Sequence, residues 1–307
     1  MNKRDKERLV IIDGHHLIHR AFYAIQQPLR TSFGEQTNGI YGFVSMLLNI
    51  LEVERPHYLA MTFDEHAPTF RHEMHEEYKG TRTKAPDELY AQIPRIKEMV
   101  DQFNIPVYSK EGYEADDMIG TLAKEAEKQG MEVYIVTGDM DAMQLINENI
   151  RVVFPHKGHK EPIVYDAQAV WDKYHIKPEQ VVDYKALMGD NSDNIKGVAG
   201  IGPKTAVHLL NEYHTLDGIY AHLDDIKGAT HDKLKEGEES AYFAQKMARI
   251  VCDVPNGFRK EDADVEQLSY LGLDRFLEMM EMKSLRTRLR KMIPEHKLQP
   301  EGQMSLF

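Results

Sequence analysis

The chain has 307 residues, 42% of them hydrophobic and 29% charged, with 50 acidic against 38 basic side chains and a formal net charge of −12. No apolar run nears the roughly 20 residues that cross a bilayer, and the opening "MNKRDKERLV" has no secretory apolar stretch, so a membrane partner and secretion are excluded and the cytoplasm is expected. A lone cysteine, Cys252, rules out an intramolecular disulfide and a thiolate zinc cage, and the acidic balance argues against a polyanionic partner unless divalent ions reverse the local sign.

In chain order, short apolar strands alternate with amphipathic helices. Strands are predicted at Leu9 to Asp13, His57 to Asp64, Ile105 to Ser109, Glu132 to Asp139 and Ile150 to Phe154. Helical spacing fills the intervals in "GIYGFVSMLLNILEV", "DELYAQIPRIKEMVDQF" and "ADDMIGTLAKEAEKQ". This alternation predicts an α/β fold with a largely parallel sheet, whose functional crevice lies beyond the carboxyl ends of its strands. The segment 67–86, "APTFRHEMHEEYKGTRTKAP", has no strand pattern, is too long for an ordinary connector, and carries Arg71, Lys79, Arg82 and Lys84 beside Tyr78. A solvated charged helix is the plainer reading of it. After about Pro162 the pattern turns helical, and 295–307 reads as a flexible tail.

Three of the predicted strands end in aspartate: Asp13, Asp64 and Asp139. "GYEADDMIG" adds Glu114, Asp116 and Asp117 at a helix start, where acids also serve as caps. With Asp141 and, from "GDNSDN", Asp190 and Asp193, they form a candidate cluster of carboxylates. An EF-hand is excluded there, because Ile195 stands where the loop needs glycine and no chelating glutamate follows. Oxygen-only donors select hard cations, Mg²⁺ or Mn²⁺, and two such ions about 3.5 to 4 Å apart perform in-line phosphoryl displacement. "GVAGIGPKTAVHLL" supplies Gly197, Gly200 and Gly202 around a tight turn, with Pro203 opening a helix and Lys204 and Thr205 in its first turn. Such a helix-hairpin-helix grips a nucleic-acid backbone without reading bases.

In combination, "IIDGHHLIHRAFYA", "FDEHAPTFRHEMHEEYKGTR", "GYEADDMIGTLA", "VTGDMDAMQL" and "MGDNSDNIKGVAGIGPKTA" closely resemble the 5′ nuclease (flap endonuclease) family, in particular bacterial 5′–3′ exonucleases, from Leu9 to about Pro294. The resemblance implies a PIN-like (Rossmann-like) nuclease core over 1–165 with a helical arch at about 67–86. It also implies a helical subdomain over 166–294 with the hairpin at 190–211, and a monovalent cation, potassium, at that hairpin. Carried over by position, Asp13, Asp64, Glu114 and Asp116 match a first metal group; Asp117, Asp139, Asp141, Asp190 and Asp193 surround a second. Lys79 and Arg82 match residues that steer and polarise the scissile phosphate, with Arg71 assisting, and Lys84, Gly197, Gly200, Gly202, Lys204 and Thr205 join them as DNA contacts. The implied substrate is DNA with a 5′ flap, nick, gap or free 5′ end, acted on at the nucleoid. A catalytically weak DNA-binding protein and an RNA-directed PIN-type nuclease are the alternatives. The ending "QMSLF" resembles a sliding-clamp-binding peptide through Gln303, Leu306 and Phe307, and suggests a stand-alone protein.

Overall fold

The computed structural model describes residues 6–65, 67–155 and 162–298. Its centre is β1 (Arg8–Asp13), buried from Leu9 onward. Because both faces of this strand are covered, it reads as an unbroken apolar run rather than an alternation. β2 (Tyr58–Thr62), β3 (Val107–Tyr108), β4 (Glu132–Val136) and β5 (Ile150–Phe154) run parallel in a six-stranded sheet of order β3-β2-β1-β4-β5-β6. The last strand, β6 (Ile163–Tyr165), is antiparallel to β5. It lies where the sequence places the change to helix, and three residues are too few to show a period.

The order reverses at β1, with β2 and β3 on one side and β4 to β6 on the other. Sheets of this kind hold ligands in the crevice outside the strand ends at such a reversal, here between β1 and β4. Asp13 closes β1 as expected, but β2 stops at Thr62 and β4 at Val136, leaving Asp64 and Asp139 on the loops that follow. The Asp139 amide bonds the Thr137 hydroxyl at 3.1 Å, and this side-chain bond replaces a ladder bond.

Among these strands lie α1 (Gly14–Ala24), α2 (Asn38–Glu54), α3 (Phe70–Met74), α4 (Asp87–Tyr90), α5 (Ile93–Gln102) and α6 (Ala115–Lys128). After the sheet come α7 (Ala167–Tyr174), α8 (Val181–Met188), α9 (Pro203–Tyr213), α10 (Leu216–Ala221), α11 (Ala229–Glu236), α12 (Glu238–Ala248), α13 (Tyr270–Met279) and α14 (Lys283–Met292). Val10, Ile12, Leu59 and Met61 pack with α1, α2 and α5 on one face of the sheet, whereas Leu9, Ile11, Val133 and Ile135 pack with α6, α8 and α9 on the other. Each fully buried Leu or Ile in these layers contributes about 1.5 to 3 kcal/mol. α13 and α14 return to the first layer, against α5 and α2, so 166–294 does not pack as one body. The segment 67–86 holds the short α3, then turns to residue 81 and an irregular run to α4.

Candidate metal and nucleic-acid site

Asp13 is both the last residue of β1 and the cap of α1. Its Oδ1 accepts the His16 amide at 2.9 Å and its Oδ2 the Thr137 hydroxyl at 2.8 Å, which ties the end of β1 to the turn after β4. That turn comes so close to α1 that a Cβ on Gly138 would stand 2.1 Å from His16 Nε2, so a larger residue there would have to push the His16 ring aside. Asp139 Oδ1 then accepts the Asp141 amide at 2.9 Å, which fixes the first carboxylate on the backbone of the second. Asp64 Oδ1 accepts the Ala115 amide at 2.8 Å, and the Asp64 amide donates to His15 Nδ1 at 3.0 Å, so β2's exit is fixed to the starts of α6 and α1. Asp116 projects from the first turn of α6.

These acids share one field. Burial first, and then the like charges of Asp139, Asp13 and Asp141, push Asp116 well above the usual carboxylate range. Burial raises Asp13 as well, with Asp64 adding to it against the His16 amide and the Thr137 hydroxyl. Asp141 is pushed up to about 6 by burial and by Asp139, against the opposing charge of Lys185. As the side chains stand, no three acids among the described residues close on a single point at ligand distance. Yet the set offers hard oxygen donors only, whose burial and mutual repulsion a divalent cation would offset, and in that sense it fits a divalent metal ion.

The sign of this linkage is testable. A carboxylate whose pKa is raised in the fold keeps its proton where the unfolded chain has lost it. Asp141, Asp13 and Asp116 therefore withdraw stability as pH climbs from the ordinary value of 3.8 toward about 6. Asp64 and Asp190, held down to about 2, work in the opposite sense, but their contribution is complete above the ordinary value. The melting temperature of chelator-treated protein should thus fall between about pH 4 and pH 6, and Mg²⁺ should raise it more at the upper end. A flat profile with no Mg²⁺ effect would dissolve the cluster.

Cations rim the acids. Lys79, at a backbone φ of +57°, sets its ammonium 2.6 Å from Glu114 Oε1, and Arg82 Nη2 bonds Asp193 Oδ1 at 2.5 Å. The Tyr78 hydroxyl lies 3.1 Å from Glu114 Oε2 and 3.0 Å from Asp193 Oδ2, one proton between two carboxylates. Burial and those neighbours raise the phenol far above its ordinary value, so it stays a neutral donor. Glu114 and Asp193 are therefore held by the 67–86 segment through Tyr78, Lys79 and Arg82. Lys185 of α8 bonds both Asp141 Oδ1 and Asp190 Oδ2, an arrangement the acid pattern alone did not show.

Two assignments made from the sequence are redirected by the structure. Arg71, expected at the DNA surface, is 3% exposed, and Asp117, expected near a metal, is wholly buried. They form a bidentate pair at 2.7 and 2.9 Å. Arg71 also donates to the Met247 and Arg249 carbonyls, and Asp117 accepts the amides of Glu114 and Val251. No lone pair of that carboxylate faces the acid group. The pair fastens α3 to the start of α6 and to the segment after α12.

At the hairpin, α8 and α9 flank a turn containing Gly197, Gly200 and Gly202, and Gly202 caps α9 with no side chain over the first amides. Gly200 takes a φ of +76°, the left-handed region that glycine enters freely. Its carbonyl accepts Lys233 Nζ at 3.0 Å. Lys204 and Thr205 lie in the first turn of α9, Lys204 exposed. Lys84 is also exposed and pairs with Asp87, away from the acids. Gln303, Leu306 and Phe307 lie outside the described residues.

Residues 8–175 match the family described as 5′-3′ exonuclease, N-terminal resolvase-like domain, and residues 176–270 match 5′-3′ exonuclease, C-terminal SAM fold. The DNA polymerase I of Caldicellulosiruptor bescii is 42% identical over 284 residues, covering 92% of this chain and 33% of the polymerase. That of Bacillus caldotenax is 43% identical over 289 residues, covering 91% and 33%. The chain thus spans about a third of the length of these curated relatives. Among solved structures, a bacteriophage T5 5′-exonuclease with bound zinc ions superimposes with a TM-score of 0.66 at 22% identity, over 90% of this chain and 99% of that one. A Methanococcus jannaschii flap endonuclease-1 does so with a TM-score of 0.60 at 18% identity, over 95% and 93%. At those identities the likeness is one of fold.

Proposed function

Since this chain belongs to the 5′-3′ exonuclease family, we propose that it hydrolyses phosphodiester bonds in DNA bearing a 5′ flap, nick, gap or free 5′ end, using Mg²⁺ or Mn²⁺. The observation that carries this reading is the gathering of Asp13, Asp116, Asp139 and Asp141 at the reversal of the sheet, within electrostatic reach of Lys79 and Arg82. Lys79 offsets part of the repulsion on Asp116, and Arg82 feels the charge of Asp139, so the basic rim and the acidic floor face one space.

Asp13, Asp64, Asp116 and Asp139 would hold one ion, and Asp141 and Asp190 contribute to a second. When bound, such ions supply charge stabilisation at phosphorus and acidify water. The chain's own groups do the positioning. His15 keeps the Asp64 loop on α1, the Thr137 hydroxyl orients Asp13, and the Asp141 amide orients Asp139. The Arg82 guanidinium can exchange its carboxylate for two phosphate oxygens, and Lys79 presents a point charge beside it. Tyr78 keeps the proton that stops Glu114 and Asp193 from repelling each other. The hairpin amides of α9 and Lys204 suit the duplex backbone, a contact without sequence preference. A monovalent ion at that turn fits less well, because Lys233 already supplies positive charge at the Gly200 carbonyl. The reading sets the protein to work on DNA in the cytoplasm, at the nucleoid, with the sliding clamp as a partner for Gln303, Leu306 and Phe307.

A 5′-labelled flap duplex should be cut in Mg²⁺ and left intact in EDTA, with nicked and single-stranded DNA as comparison substrates. Binding without cutting would make the chain a DNA-binding protein. Faster cutting of a matched RNA flap would make it an RNA-directed nuclease.

A further inference from the structure

Lys185 has no part in the carboxylate assignment, yet its place is built. It rises from α8, where Val181, Val182, Ala186 and Leu187 are buried, and its own side chain is 13% exposed. The ammonium bonds Asp141 Oδ1, on the short helix after β4, and Asp190 Oδ2 at 2.6 Å, on the turn after α8. Asp190 is further fixed by the Ser192 amide at 2.8 Å and the Ser192 hydroxyl at 2.6 Å. Two acids from separate elements thus converge on one nitrogen, which is how a cation site is made, except that the chain supplies the occupant. Removing an ammonium from water is costly, and it stays buried only where carboxylates compensate it on more than one side, as here.

We propose that Lys185 is the resident cation of the Asp141 and Asp190 pair, and that a divalent ion reaches this pair only by displacing the ammonium. The inference rests on the nuclease reading above and divides its acids into two unequal groups. Asp13, Asp116 and Asp139 make no ion pair with any basic side chain among the described residues, so the first ion goes to them. The second ion has to compete with a tethered positive charge and is bound weakly until substrate phosphate adds negative charge to the same space. The tether also keeps Asp141 and Asp190 in position before any ion arrives.

Calorimetric titration of Mn²⁺ into the full chain and into Lys185→Met, with thermal unfolding to confirm folding, tests this. Two classes of site are expected in the wild type, and Lys185→Met should tighten the weaker class at least about tenfold, since a unit positive charge close to the ion is gone. Unchanged or weakened Mn²⁺ binding by a folded Lys185→Met chain overturns the proposal. Should that variant fail to fold, lysine acylation of the wild type read by mass spectrometry serves instead. Lys185 should react several-fold faster once Mn²⁺ is added, and no change in a chain that binds Mn²⁺ overturns the proposal. A wild type that cuts flap DNA while failing these tests loses only this inference, whereas one that neither cuts DNA nor binds Mn²⁺ loses the nuclease reading with it.

Discussion

Asp139→Ala should fold, bind a 5′-flap duplex, and cut it at least about a thousand-fold more slowly than the wild type, because several kcal/mol of metal-borne transition-state stabilisation disappear with one ligand. The fold has little reason to suffer. Asp139 sits on a loop beyond β4, and its one structural task is to accept the Asp141 amide at 2.9 Å. Its charge also presses on Asp116, so removing it relieves a repulsion. A change in melting temperature amounting to no more than about 1 kcal/mol is expected, a lost local hydrogen bond set against a lost like charge. Single-turnover cleavage beside a binding titration separates the two effects. Wild-type cutting by this variant would remove Asp139 from the metal assignment, and loss of DNA binding in step with cutting would point to misfolding.

Arg71→Met should destabilise the protein by about 3 to 5 kcal/mol, because it leaves Asp117 charged, buried and unpaired. For a chain of this size that is a drop in melting temperature of about 5 to 8 °C. The loss reaches past one ion pair, since Arg71 also satisfies the carbonyls of Met247 and Arg249 and so joins three separate stretches of chain. Pairing it with Asp117→Leu should recover much of the deficit, as an apolar pair replaces a broken ionic one. The opposite result, normal melting with weakened DNA affinity, would return Arg71 to the nucleic-acid surface where the sequence pattern places it.

The central strands announce themselves in the sequence because strands covered on both faces are apolar throughout, as in "LVII" and "YIV". β6 does not, being three residues at an edge with Ile163 and Val164 exposed. The acids at the crevice follow from the same logic of strand ends, even though two of them turn out to lie on the loops beyond. Arg71 and Asp117 show the limit. A basic residue in a long connector and an acid in a helix's first turn look like a DNA contact and a metal ligand, and nothing local reveals that each buries the other. Asp117 gave a partial signal, since an acid at that position of a first turn also caps the helix, as its bond to the Glu114 amide does. Lys185 gave a clearer one. Helical spacing sets it on the face of Val181 and Val182, and a charge on an apolar helix face implies a buried counter-charge.

The strand order bears on how the molecule comes into being. Ile11 pairs with Ala60 on one side and with Ile135 on the other, so β1, once synthesised, waits through β2, β3 and α6 for its second neighbour. Until then its free edge is a template for stray chains, and distant parallel pairing is slow to form. A polypeptide halted before β4 is accordingly an aggregation hazard. Because Thr137 directly follows that same strand and grips Asp13, the docking of β4 on β1 also fixes the first of the acids.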